Sequence, residues 1–290
     1  MLNQFITVNP SSTNKMNTAV IHNYSKIRRS LFVVPLLLLI GIVLFLYTKD
    51  ALQVDRYIQI QKDCFYYFNA RLSQFPCFIF NLTQLGDEII VLSLLSIFVL
   101  YTPKVWEVLI YSSLVSCIFA SSLKKIFAVP RPAAVFDHHS FVIIGKILNG
   151  HNSLPSGHSI TVFTLLTVIL FAFMPQKLNN KIFWYLLIIS AGVILVLTRV
   201  GVGAHYPLDV ITGGIIGYIS GILGIFINQK YNICSWFSNK RYYPLFILFF
   251  LICGISIIIK IRDDNLFIFY VALASLIISL YKIIHVYFKK

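Results

Sequence analysis

The run Thr198-Arg199-Val200-Gly201-Val202-Gly203-Ala204-His205-Tyr206-Pro207-Leu208-Asp209 places an arginine, a histidine and an aspartate within eleven residues, between two long apolar runs. Ionisable groups at such a place are expensive and mark function. His205 reads here as a nucleophile toward phosphorus, Asp209 as the carboxylate that orients its imidazole, and Arg199 as a phosphate clamp. Pro207 suits the first position of a helix. Asp209 then falls in the first turn, with His205 just ahead of it. Four residues of separation across a helix start bring carboxylate and imidazole within hydrogen-bond reach. The contact fixes the tautomer and leaves the other ring nitrogen free to attack. The plainer reading, a helix cap with incidental polar neighbours, is hard to sustain with Arg199 at the same mouth.

Two further stretches have matching chemistry. In Lys124-Lys125-Ile126-Phe127-Ala128-Val129-Pro130-Arg131-Pro132, Lys124 closes an apolar run and Arg131 lies in an extended, proline-flanked segment. Alone, such a pair is more often a snorkelling anchor at a span's end. In Asn152-Ser153-Leu154-Pro155-Ser156-Gly157-His158-Ser159, Ser156 is a plausible N-cap. The backbone N–H groups of Gly157 and His158 would face outward from a helix start, which is a ready anion site. Alone, it could equally be an ordinary cap. Two spans separate the 128–157 loop from the 199–209 stretch, so both must lie at one membrane face. Lysine, two arginines, serine, a glycine N–H and two histidines then converge, and three cations about an anion site imply phosphate.

The elements that hold these groups are membrane helices. The chain of 290 residues is 58% hydrophobic and only 12% charged, with a mean hydropathy of +0.82. Soluble domains have roughly 45–50% apolar and about 25% charged residues. Eight apolar runs follow one another, near Leu31–Tyr47, Glu88–Tyr101, Val105–Phe127, Ser159–Met174, Ile182–Thr198, Leu208–Ile227, Pro244–Ile259 and Leu266–Ile284. Each is expected to span the membrane as a helix, which needs roughly 20 residues. Residues 1–30 are expected to be a disordered polar tail. Residues 48–86 fit either an amphipathic helix on the membrane surface or a covering loop. Glycines 213, 214, 217, 221 and 224 mark a close-packing face on the sixth span.

The net charge is +14, with basic residues scattered between the runs rather than gathered on one soluble face. That excludes nucleic acid as a partner and fits lipid headgroups and the bilayer. The larger share of lysine and arginine falls on the segments that are cytoplasmic if the N-terminus is, which puts the three motifs on the outer face. The five cysteines form no framework or metal-ligand spacing, although Cys64 and Cys77 share a loop and could pair.

Lys124 with six residues to Arg131-Pro132, Pro155-Ser156-Gly157-His158, and Arg199 with five residues to His205 and three more to Asp209 resemble the type 2 phosphatidic acid phosphatase (PAP2) family. That family is similar in its site to vanadium haloperoxidases and bacterial class A acid phosphatases. The resemblance covers about residues 85–225 and includes Leu85-Gly86-Asp87. Thr198 stands where the family more often has serine, and the last two spans lie beyond its six-helix core. The fold implied is an all-α polytopic membrane bundle. Residues 1–30 would be its tail, 31–227 a PAP2/haloperoxidase-like core, and 228–290 a C-terminal helix pair. The resemblance implies catalysis by His205, His158 and Asp209. His205 would form a phosphohistidine, and His158 would protonate the leaving oxygen and then deprotonate water. Lys124, Arg131, Ser156, Gly157 and Arg199 would bind the phosphate. Neither a metal nor a cofactor is implied, since fixed cations stand in that place.

The expected activity is hydrolysis of a lipid phosphate: a polyprenyl diphosphate, phosphatidylglycerophosphate, phosphatidic acid or a phosphorylated glycolipid of the lipid A type. A lipid-to-lipid phosphotransferase could use the same site. An anion transporter is disfavoured, because a path needs cations but not the His205/Asp209 pairing. In a bacterial inner membrane the site would be periplasmic. The motifs read the phosphate and not the tail.

Overall fold

The computed structural model describes residues 10–231 and 233–289, with side chains from residue 15 onward. Its regular elements are all helical. After α1 (Pro10–Ser25) come the lipid-facing α2 (Val33–Thr48) and three short helices, α3 (Val54–Gln59), α4 (Lys62–Leu72) and α5 (Pro76–Thr83). A 3-10 turn, Gln84–Gly86, leads into α6 (Glu88–Leu94) and α7 (Phe98–Tyr101). The long α8 (Pro103–Phe127) is followed by a single turn, α9 (Pro132–Val135). Then come α10 (Gly157–Ala172), α11 (Leu178–Gly201), α12 (Pro207–Tyr231), α13 (Tyr243–Asp264) and α14 (Phe267–Phe288).

The centre of the bundle is α12, packed on α10 and α8. Its glycine face permits this approach. A Cβ at Gly217 would strike the Ile160 carbonyl, and one at Gly224 would strike Ser112. Around these contacts Val105, Val108, Val168, Leu170, Ile222 and Ile225 form a buried layer. Lipid tails are as apolar as leucine, so close packing rather than water exclusion holds such helices together.

Among the described residues, six helices are long and apolar enough to cross a membrane, or seven if the bent pair 76–94 counts as one. Eight uninterrupted spans were expected, and two of them are corrected. The run Glu88–Tyr101 is not one helix. Ser93 donates to the Ile89 carbonyl at 2.7 Å and Ser96 to the Ser93 carbonyl at 2.7 Å, and the helix stops at Leu94. The Leu95 carbonyl accepts from the Phe98 N–H at 3.0 Å and from the indole N–H of Trp106 at 2.8 Å, so the break leaves it satisfied. The preceding segment, α5 with its 3-10 turn, meets α6 at 82°. The second correction concerns α10, which has only 16 residues, about 24 Å at 1.5 Å per residue. It is short because it runs inside the bundle, and α1 completes it.

The disordered tail is therefore also corrected for residues 10–25. Asn23 donates through Nδ2 to the carbonyls of Ala172 (2.9 Å) and Met174 (3.2 Å), and Tyr24 donates to the Val168 carbonyl at 3.3 Å. The Ala172 carbonyl is one of the orphans at the end of α10, and Met174 lies just beyond it. Val20 and Tyr24 are buried. The segment looked free because its sequence carries few apolar residues, yet those few are the ones that dock.

Within residues 48–86, α3 and α4 pack onto the body of the bundle. Phe65 of α4 is fully buried, with ring contacts to Tyr206 (5.8 Å), Phe141 (5.3 Å) and Phe136 (5.8 Å). Phe65 thus packs α4 over the 199–209 stretch, the covering role that the sequence left open, while Tyr67, Phe75 and Phe78 stay exposed. Cys64 and Cys77 are both free and exposed, so the suggested pairing is absent. The C-terminal helices α13 and α14 pack as an antiparallel pair against α6, where Trp106, Phe250 and Phe269 are buried together.

Candidate active site

Three helix ends meet at one face of the bundle: the C-terminus of α8, the N-terminus of α10, and the turn from α11 into α12. Pro207 opens α12, as expected. Asp209, in its first turn, accepts from the Tyr206 N–H at 3.0 Å, which folds the carboxylate back over the helix start. Asp209 is fully buried and has two further donors. Tyr57 O–H reaches Oδ1 at 2.7 Å, and Ser153 O–H reaches Oδ2 at 2.5 Å. A buried carboxylate needs such donors to remain tolerable.

His205 is 1% exposed, and its Nδ1 lies 3.6 Å from Asp209 Oδ2. This is longer than a hydrogen bond, so the direct His205–Asp209 bond expected from spacing is corrected. Ser153 stands between them, with its Oγ 3.3 Å from His205 Nδ1. The one hydroxyl proton of Ser153 goes to Asp209, so toward His205 the oxygen can only accept. Nδ1 therefore carries the ring hydrogen, and Nε2 keeps its lone pair. Burial first, and then the charges of Arg131, Arg199 and Lys124, hold the His205 pKa well below the ordinary histidine value. The imidazole is neutral, with one nitrogen free.

The cations come from three elements. Arg131, after the left-handed Ala128 that ends α8, donates through Nε to Asn152 Oδ1 at 2.7 Å and through Nη1 to the Ala204 carbonyl at 3.4 Å. These bonds tie all three motifs together. Arg199 is buried and donates through Nη1 to Thr83 at 2.9 Å, while its Nε has no partner. An unpaired buried guanidinium nitrogen is costly unless an anion completes it. Lys124 reaches the start of α10, where a Cβ at Gly157 would lie 3.1 Å from its Nζ. Glycine keeps that opening clear.

Ser156 is the N-cap of α10, as expected. Its oxygen accepts from the Ser159 N–H at 3.4 Å and the Ser159 O–H at 2.9 Å, which leaves its own proton to donate. His158 follows in the first turn, within electrostatic reach of Arg199, His205, Arg131 and Lys124. Gly86 backs it, since a Cβ there would fall 2.7 Å from His158 Cβ. All eight residues singled out from sequence are thus brought to one face: His205, His158, Asp209, Lys124, Arg131, Ser156, Gly157 and Arg199.

Sequence reasoning missed the supporting groups. Ser153 lay inside a quoted motif but had no role. Tyr57 and Thr83 lie in the 48–86 segment, with no motif around them. So does Gln61, whose Oε1 accepts from the Leu208 N–H at 2.7 Å. Asn69 donates to the carbonyls of Val200 and Gly201 at 3.1 Å each, and so holds the end of α11. A polar residue recurring among aromatics is the only signal these positions offer.

Comparisons with known proteins fall on this region. The chain is 32% identical over 117 residues to a protein named lipid A 1-phosphatase from Rhizobium johnstonii, covering 39% of this chain and 44% of that one. It is 28% identical over 154 residues to a lipid A 1-phosphatase of Rhizobium etli, covering 50% of this chain and 62% of the relative. The chain thus spans less than two thirds of either relative. A crystal structure of Aquifex aeolicus LpxE aligns with a TM-score of 0.47 and 26% identity, covering 58% of this chain and 95% of that one. The PAP2 superfamily profile matches residues 106–234, the segment that contains all three motifs.

Proposed function

We propose that the protein is a membrane phosphatase that removes a phosphate from a lipid through a phosphohistidine. The observation that carries this reading is the neutral, buried His205, whose free Nε2 accompanies three cations and an unpaired Arg199 nitrogen. In the first step Nε2 attacks phosphorus, and the bond from phosphorus to the lipid oxygen breaks. His158 gives that oxygen its proton; burial and the neighbouring cations lower its pKa in the empty site, and the bound phosphate dianion opposes them and favours the protonated ring. Charge developing on the equatorial oxygens falls to Lys124, Arg131, Arg199, the Ser156 hydroxyl and the Gly157 N–H. Asp209, acting through Ser153, steadies the positive charge gained by His205. Water then attacks the phosphohistidine, His158 takes its proton, and inorganic phosphate leaves.

The case for a lipid rests on an apolar cleft of about 520 Å³ between α2, α8 and α12. Leu39, Val43, Phe119, Leu123 and Ile216 line it, and Tyr57 and Leu154 are part of the same lining. Tyr57 holds Asp209, and Leu154 follows Ser153, so the cleft leads to the phosphate cage. A tail in it exchanges bilayer for protein and gains little from burial. The cleft therefore contributes access and shape selection rather than affinity. The named relatives favour a phosphorylated glycolipid of the lipid A type among the candidate substrates.

The test is phosphate release from a panel of lipid phosphates in detergent, with His205→Ala as control. Release lost in His205→Ala, and unaffected by chelator, supports the reading. Folded protein that releases nothing from any of them overturns it. Release that requires a second lipid as acceptor would assign a phosphotransferase instead.

A further inference from the structure

Helices α13 and α14 lie beyond residues 106–234, yet they grip the rear of the site. The gripped segment is 81–87, at the 82° corner before α6. At one end, Asn81 Oδ1 accepts from the Ile268 N–H in the first turn of α14 at 2.9 Å. At the other end, Asp87 Oδ1 caps α6, accepting from the N–H groups of Ile89 (3.0 Å) and Ile90 (3.4 Å). Its Oδ2 takes the Lys260 ammonium of α13 at 2.9 Å. Between these anchors the segment turns two groups inward. Thr83 bonds Arg199 at 2.9 Å, and the Gly86 backbone is the wall behind His158. A Cβ at Gly86 would meet His158 Cβ at 2.7 Å and Cδ2 at 2.9 Å, so any shift of the wall moves the ring.

We propose that the C-terminal helix pair is a buttress for the proton donor, and that Lys260 is its positioning residue. Through Asp87, Lys260 fixes the Gly86 wall and thereby the presentation of His158 to the leaving oxygen. The side chains of the Lys260–Asp87 pair are 31% and 22% exposed. A partly exposed pair of this kind contributes modestly to stability. Its effect is on placement, and a misplacement of about 1 Å at a reacting group costs on the order of a hundredfold in rate.

The inference rests on the phosphatase reading, with His158 as the acid, and its signature is dependence on the leaving group. An alkoxide must be protonated as it departs, whereas p-nitrophenolate need not be. The experiment compares kcat/KM, which ends at the first irreversible step, for dodecyl phosphate and p-nitrophenyl phosphate on the full chain. Lys260→Met should lower the dodecyl value by about tenfold or more, within the usual range for a general acid, and the nitrophenyl value by less than about threefold. Lys260→Arg should restore most of the loss. Asp87→Asn keeps the cap acceptor but loses the charge, so it should give the same pattern, and it decides the matter if Lys260→Met does not fold. Equal losses on both substrates, or no loss on either, overturn the proposal. Where the wild type does not hydrolyse dodecyl phosphate, the lipid phosphate it does hydrolyse in the panel takes the alkyl arm; a wild-type protein that releases phosphate from none of them overturns the phosphatase reading and the buttress with it, and the missing baseline sets that outcome apart.

Discussion

A single hydroxyl decides what His205 can do. Ser153 gives its proton to Asp209 and offers its oxygen to Nδ1, so the ring's free nitrogen is set by a residue that no motif spacing pointed to. Ser153→Ala should lower kcat by about tenfold to a hundredfold while leaving KM nearly unchanged, because the tautomer is lost and the phosphate cage is not. Steady-state kinetics on one lipid phosphate would show this, and an unchanged kcat would contradict the bridging role. The sign of the pH dependence follows from the lowered pKa of His205. Lowering it keeps the imidazole neutral as pH falls, so its acid limb in kcat/KM should lie below about 6.5. Arg131→Gln removes one of the charges that disfavour the protonated ring and should move that limb upward. A wild-type limb above the ordinary histidine value would contradict the assignment. The motif residues were legible because each sits at a fixed offset from a helix end. Tyr57 and Thr83 were not, because their partners Asp209 and Arg199 lie more than a hundred positions away and only tertiary packing brings them near.

At the scale of elements, the glycine face of α12 was legible from its spacing, and the structure gives it a measurable cost. Gly224→Ala forces a Cβ into Ser112 of α8, whereas Gly41→Ala meets nothing within 4 Å. The first substitution should destabilise by about 1–3 kcal/mol and the second should be near neutral. Thermal unfolding in detergent would separate them, and equal midpoints would count against close packing of α8 on α12. The break in the second span was harder to see. Glu88–Tyr101 has the composition of a span, and the interruption depends on how Ser93 and Ser96 spend their hydroxyls and on Trp106 capturing the Leu95 carbonyl. Helix α1 was missed for a related reason: its value lies in Asn23 and Tyr24 closing the end of α10, a contact that no local pattern encodes.

For the whole molecule, the proposed function divides the structure into a part that would read phosphate and a part that would read the tail. The cage is built from helix ends at one face, while the apolar cleft runs down beside α2, which is only 6% buried along its span. Filling the cleft should therefore discriminate among substrates without touching chemistry. Leu123→Trp should raise KM for a long-chain lipid phosphate several-fold and leave p-nitrophenyl phosphate unaffected. Equal effects on both would place the tail elsewhere. The all-α membrane bundle was legible from composition and run lengths alone. The cleft was not, since it is formed by side chains of α2, α8 and α12 that only tertiary packing brings together.

The unsatisfied Arg199 nitrogen has one more consequence. A pocket that gathers this much positive charge rests in a strained condition whenever it is vacant, and any tetrahedral oxyanion relieves it. If the proposed phosphatase reading holds, the orthophosphate set free at the end of each turnover is such an ion, so it should compete with fresh substrate and raise the melting temperature of the resting protein, as should vanadate. Throughput would then follow the ambient concentration of the product as well as the supply of lipid, with turnover slowing where phosphate is plentiful and quickening where it is scarce.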